Sequence, residues 1–211
     1  MPHASLRAMM LSLALSLVAA PPVSAAPPSF SCAEASGAAE QAICQDGTLA
    51  ALDREIARLY RLALGGRSLD AQRRKELIAT QRGWIKGRND CWKAGDLAAC
   101  IRDSAMSRIG ELRAQFPAAR SDDAHGVSLG PVAVRCPQGA KEIQATFVNV
   151  EPPMALLAWA DRQSLVLTIA RSASGARYTA VAPGGDALFW QKGPEARVQL
   201  PGGAEQVCSV G

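Results

Sequence analysis

Two short segments hold the side chains whose types and spacing could act on a partner: SASGARY, Ser172 to Tyr178, and FWQKGPEA, Phe189 to Ala196. Ser174 offers a neutral hydroxyl, and Lys192 a compact ammonium on a flexible stem. Neither has an acid or base partner near it in sequence, so the pair supplies charge and hydrogen bonding and does not break bonds. A plainer reading stands beside this one. Exposure in a hairpin is the commonest fate of a lysine, and Ser174-Gly175 is also what a tight turn wants. Tyr178 and Trp190 suit packing better than ligand contact. Arg177 could reach a partner or merely cover a sheet with its stem.

The other reactive groups are six cysteines, Cys32, Cys44, Cys91, Cys100, Cys136 and Cys208. An even count downstream of an export segment argues for disulfides. Six cysteines allow 15 pairings, and spacing favours Cys32–Cys44, Cys91–Cys100 and Cys136–Cys208. A zinc site is the rival, weakened by the absence of a CxxC pair and by having only His3 and His125 as histidines. No metal or cofactor is expected. An envelope glycan hydrolase working through Glu142 and Glu151 would lack any nucleophile–base arrangement, GxSxG motif or metal set. The chain is therefore not expected to be an enzyme.

Residues 1–25 look like a signal peptide. Arg7 precedes the apolar run LSLALSLVAA, and small residues at Val23, Ser24 and Ala25 suit cleavage after Ala25. The run is shorter than the roughly 20 residues that span a bilayer, and no cysteine stands at its end. The expectation is a periplasmic or secreted protein, not a lipoprotein, with no transmembrane segment after cleavage, acting as a monomer or weak dimer. Residues 27–120 hold 15 Lys/Arg against 11 Asp/Glu, and the remainder is near neutral. That mild excess, without interleaved aromatics, does not suggest nucleic acid.

Two periodicities divide the exported part. Over 27–116 the spacing is helical. Ser36 can cap a short helix reaching Cys44, and Thr48 can cap the next, whose stripe is Leu49, Leu52, Ile56, Leu59 and Ala63. Gly65-Gly66 ends that helix, and Ser68 can cap a third with Leu77, Ile78, Gln81, Trp84 and Ile85 near one face. Asp96 can cap a fourth with Leu97, Cys100, Ile101, Ala105, Ile109 and Leu112 inward. Asp53, Glu55 and Arg58 form a charged face expected to be solvated. Trp84 and Trp92 are expected to pack around the disulfide bends. Residues 117–130 lack periodicity and suggest a linker. Over 131–211 come seven or eight short β segments with Pro/Gly turns between them, among them Pro183-Gly184-Gly185 and Pro201-Gly202-Gly203. The fold class expected is α+β in two domains: a small disulfide-stapled helical bundle, then a small antiparallel β-barrel. A Cys136–Cys208 bond would stabilise the barrel by roughly 4 kcal/mol in the chain-entropy picture.

With those elements in place, SASGARY, FWQKGPEA and the flanking Cys136 and Cys208 resemble the MliC/PliC-type inhibitors of c-type lysozyme, over Val132 to Val210. The family pairs an SGxxY-like loop with a WxKGxxA-like loop on a small barrel. The resemblance implies that both loops enter the lysozyme cleft, with Ser174 and Lys192 on the catalytic carboxylates and Gly175, Tyr178 and Gly193 shaping the loops. The connection TAVAPGGDAL between Tyr178 and Phe189 is several residues longer than is usual in the family. The stretch from Ser31 to Leu112 resembles the cysteine-stapled helical domain of the LprI-type lysozyme inhibitors. Its motifs are mostly hydrophobic spacing and cysteines, so they specify a fold better than an activity. A c-type lysozyme is the partner so implied. The alternative is an envelope structural or adaptor protein whose helical half binds another protein.

Overall fold

The computed structural model describes residues 26–121, 125–137, 142–159 and 163–211. The signal segment and the centre of the expected linker lie outside the described residues.

Four helices form the first half: α1 (Ala38–Gln45), α2 (Gly47–Leu64), α3 (Ala71–Asn89) and α4 (Leu97–Gln115). The α2 stripe predicted from spacing is fully buried, from Leu49 to Ala63, against Ile101, Ala105, Met106, Ile109 and Leu112 of α4. Disulfides Cys32–Cys44 and Cys91–Cys100 close loops of 12 and 9 residues at its two bends. Such staples support a helical unit whose core is thin.

Three of the four expected caps differ. Gly37 precedes α1 without a side-chain bond. Asp46, not Thr48, caps α2, accepting from Thr48 and Leu49 amides, and Asp70, not Ser68, caps α3 through the Arg73 amide. A carboxylate reaches the free amides at least as well as a hydroxyl and also suits the helix dipole. Asp96 caps α4 as expected. Two inward assignments fail. Trp92 is 63% exposed, stacked under the Lys93 ammonium, and Ile85 also faces solvent.

The second half is a closed barrel of eight antiparallel strands in sequence order: β1 (Ser128–Arg135), β2 (Ile143–Val148), β3 (Met154–Trp159), β4 (Gln163–Ala170), β5 (Ala176–Ala182), β6 (Gly185–Lys192), β7 (Glu195–Gln199) and β8 (Gln206–Val210). Closure leaves no unpaired edge. Alternate residues fill the interior, including Ile143, Ala145, Leu157, Leu167, Tyr178, Phe189 and Val198. The rings of Phe147, Tyr178 and Phe189 meet at tilted angles with centroids 5.6–6.5 Å apart. Cys136–Cys208 spans 72 residues and fastens the end of β1 to β8.

The helical core extends onto the outer face of the barrel. β3 reads MALLAW and is buried on both faces. Ala155 and Leu157 point into the barrel, while Met154 and Leu156 join the helical cluster with Val148. A Cβ added to Gly110 of α4 would come within 2.4 Å of Leu156 Cδ2, so the helix backbone lies directly on β3. Pro117–Arg120 is a 3₁₀ turn with Ala119 fully buried.

Polar groups tie the same seam. The charged α2 face expected to be solvated is buried: Asp53, Glu55 and Arg58 are each under 10% exposed. Glu55 accepts from Arg58 Nη2 at 2.7 Å and Nε at 2.8 Å, from the Val127 amide at 3.4 Å, and from the Ser128 hydroxyl. Ser128 Oγ in turn accepts from Arg113 Nη1 at 3.2 Å, and Arg113 Nε donates to the Gly130 carbonyl at 2.7 Å. Asp53 accepts from Ser29 at 2.6–2.7 Å and from Arg88 at 3.2 Å. Burial pulls the Arg88 guanidinium down from its ordinary range, against the opposing pull of Asp53 and Glu40. The face is buried because the segment before α1, α3 and the start of β1 all fold over it, which local periodicity does not record.

Candidate functional site

Strand register brings the two motif loops together. The β4–β5 loop carries Ser172 to Gly175, and the β6–β7 hairpin carries Lys192 to Glu195. β5 pairs with β6 through Ala176–Gln191 and Arg177–Trp190, so both loops emerge at the same end of neighbouring strands. Trp190 Nε1 donates to the Ser174 carbonyl at 2.9 Å, and the Ser172 hydroxyl donates to the same carbonyl at 2.6 Å. This Trp190 latch was not evident from sequence. The place of Trp190 within the second motif was the signal, and it fits rim packing equally well.

Two glycines are required by this geometry. Gly175 has φ +70°, and a Cβ there would lie 2.3 Å from the Gln191 carbonyl oxygen and 3.4 Å from Lys192 Cβ. Only a residue without a side chain lets the first loop press against the second. Gly193 has φ +63° at the first central position of the two-residue hairpin between Lys192 and Glu195. That is the position and sign of a type II′ turn.

The side chains divide by exposure. Ser174 and Lys192 are exposed, and among the described residues Lys192 takes part in no ion pair. Arg197 instead pairs with Glu205 at 3.2 Å and lies 5.7 Å over the Trp190 ring. Tyr178 is 6% exposed and lies inside the barrel, so it supports the loops from below. The long connection after Tyr178 extends β5 and β6 to a Pro183-Gly184 turn paired through Ala182–Gly185, at the far end of the strands from both loops. The added residues therefore leave the loops undisturbed.

Burial pushes the Tyr178 hydroxyl above its ordinary range. The neutral phenol is favoured in the fold, whereas the unfolded chain ionises near pH 10. This contribution to stability is intact below that value and is lost as pH rises through the higher folded value. Denaturant midpoints followed from about pH 9 to 11 are expected to fall more steeply for the natural protein than for Tyr178→Phe.

Glu142 and Glu151 are not brought together. They flank opposite ends of β2, and six strand residues at about 3.3 Å each put them roughly 20 Å apart. Paired glycosidase carboxyl groups stand about 5–9.5 Å apart. Among the described residues, no cluster of His, Cys, Asp or Glu could hold a metal ion, and no helix is long and apolar enough to cross a membrane.

Each half matches a different family model. Residues 134–206 match MliC, the membrane-bound lysozyme-inhibitor of c-type lysozyme, and residues 32–116 match LprI, lysozyme inhibitor LprI. The class is thus a two-part protein, an LprI-type helical module joined to an MliC-type barrel. Proteins named Lipoprotein LprI from Mycobacterium bovis and Mycobacterium tuberculosis are 30% identical over 205 residues, covering 93% of this chain and 94% of each relative. The chain belongs to the LprI family. Among solved structures, Pseudomonas aeruginosa MliC in complex with hen egg white lysozyme is 28% identical, covering 40% of this chain and 80% of that one, with a TM-score of 0.32.

These relatives overturn one expectation, that the protein is not a lipoprotein. That reading rested on residues 1–25 and the absence of a cysteine at their end. The proteins that match nearly the whole chain are named lipoproteins.

Proposed function

We propose that this protein inhibits c-type lysozyme by occluding its cleft, with Ser174 and Lys192 set against the two catalytic carboxyl groups. One observation carries the mechanism: an exposed lysine with no ion pair among the described residues stands on a tight hairpin fastened to a second exposed loop. A retaining glycosidase holds its two carboxyl groups about 5 Å apart, a span that one ammonium and one hydroxyl can serve together. Where water is excluded, an ammonium–carboxylate contact is much stronger than at an open surface. Gly175 and Trp190 fix the loops before contact, which lowers the ordering cost of binding. Both family models that match the chain are described as lysozyme inhibitors, which supports lysozyme as the partner. The protein acts here by binding alone.

The test is a lysis assay. Added to a c-type lysozyme acting on bacterial walls, the protein should slow clearing in proportion to its concentration until lysozyme is titrated. Clearing at an unchanged rate with inhibitor in molar excess contradicts the proposal.

A further inference from the structure

The seam between the halves is not apolar throughout. Between α3 and α4 on one side and β2 to β4 on the other runs a groove of about 850 Å³. Sites for small ligands have this size and concentrate at such junctions. Trp84 and Arg108 line it from the helices, and Gln144, Trp159, Gln163 and Ser164 from the barrel.

Arg108 is the unusual member. It is only 4% exposed. Its Nε donates to Gln81 Oε1 at 3.0 Å and its Nη1 to Glu111 Oε2 at 3.0 Å. Among the described residues, Nη2 has no partner. A buried guanidinium N–H without an acceptor is costly, and an acceptor brought by a ligand would remove that cost. Glu111 is about half exposed at the rim, so it can yield Nη1 to an incoming group. Nη1 would then meet the ligand's carboxylate at the groove edge, and a small turn of the guanidinium would bring the buried Nη2 to the same group, the side-by-side geometry a guanidinium fork favours.

The rest of the wall suits a sugar. Trp84, whose N–H is held by Ser104 and whose ring lies against Arg88, and Trp159 border the groove with apolar ring surface, while the Gln144 and Gln163 amides and the Ser164 hydroxyl offer donors and acceptors to ring hydroxyls. Glu111 and Glu142 also border the groove. An acid arriving at Arg108 therefore has to displace the Glu111 carboxylate, whose half-exposed side chain can turn to solvent.

We propose that the groove between α3–α4 and β2–β4 binds a carboxylated sugar, its acid on Arg108 and its ring against the tryptophan- and glutamine-lined wall. The groove meets β4 at Gln163 and Ser164, whereas the Ser174 loop follows that strand's other end at Ala170. The inference is therefore independent of the inhibitory mechanism.

N-acetylmuramic acid and N-acetylglucosamine form a suitable probe pair, because they differ by one carboxylate-bearing ether. Each is titrated into the full protein while the four indole N–H signals are followed by NMR. The acid sugar is expected to shift the Trp84 and Trp159 signals saturably, with at least roughly tenfold higher affinity than the neutral sugar. Arg108→Gln should bring the acid sugar down to the neutral one. Should that variant fail to fold, Gln163→Ala, at an exposed position, should weaken the acid sugar several-fold. Equal affinity for the two sugars, no saturable shift, or shifts confined to Trp92 and Trp190 would overturn the proposal.

Discussion

Lys192→Ala is expected to raise the concentration of protein needed to halve lysozyme activity by roughly 30-fold to several thousandfold, with no change in thermal stability. Truncating one partner of a buried, hydrogen-bonded charge pair costs about 2–5 kcal/mol, part of it from the charge left behind. Stability should not move, because Lys192 is exposed and takes part in no ion pair among the described residues. Lys192→Arg separates charge from shape. It keeps the cation but replaces a compact ammonium with a planar fork, so it should inhibit better than the alanine variant and less well than the natural protein. Equal inhibition by all three would show that the hairpin does not enter the cleft. The loss should appear mainly as faster dissociation, because contacts at the centre of an interface govern residence time more than encounter.

Glu55→Ala should have the largest effect on folding. Its carboxylate binds two nitrogens of Arg58, the Val127 amide and the Ser128 hydroxyl, and joins α2 to the first strand of the barrel. Removing one side of a buried ion pair costs about 3–5 kcal/mol. For a chain of this size that lowers the melting temperature by roughly 6–20 °C. The effect should span the whole molecule. Leu156 of β3 and Gly110 of α4 lie in the same contact, so calorimetry should show one transition for both halves, displaced as a unit. Two separate transitions, with only the helical one moved by Glu55→Ala, would contradict a helical core that extends onto the barrel. Glu55→Gln keeps hydrogen-bonding atoms and should cost less.

The sequence spoke clearly where physics acts over short distances. The stripe Leu49, Leu52, Ile56, Leu59 and Ala63 identifies its helix because one turn of backbone fixes which residues share a face. Alternation and Pro/Gly turns marked the strands, and the two ordered motifs marked the barrel's family. It was silent where partners are remote. Asp53, Glu55 and Arg58 have the pattern of a solvated face, and the residues that bury them lie 24 to 73 positions away. MALLAW shows that β3 is covered on both faces but not what covers its outer side. Trp92 illustrates the converse: an aromatic beside a disulfide suggests core, yet the bend turns it outward. For the loops, residue types alone could not distinguish a binding lysine from an ordinary one. Strand register adds their placement, setting the Ser174 loop beside the Lys192 hairpin.

The most direct measurement is a crystal structure of the protein bound to a c-type lysozyme. The account predicts Lys192 Nζ within hydrogen-bonding distance of a catalytic carboxylate, about 2.7–3.2 Å, with the Ser174 hydroxyl on the other. A complex in which lysozyme meets another face, leaving Lys192 in solvent, would contradict it.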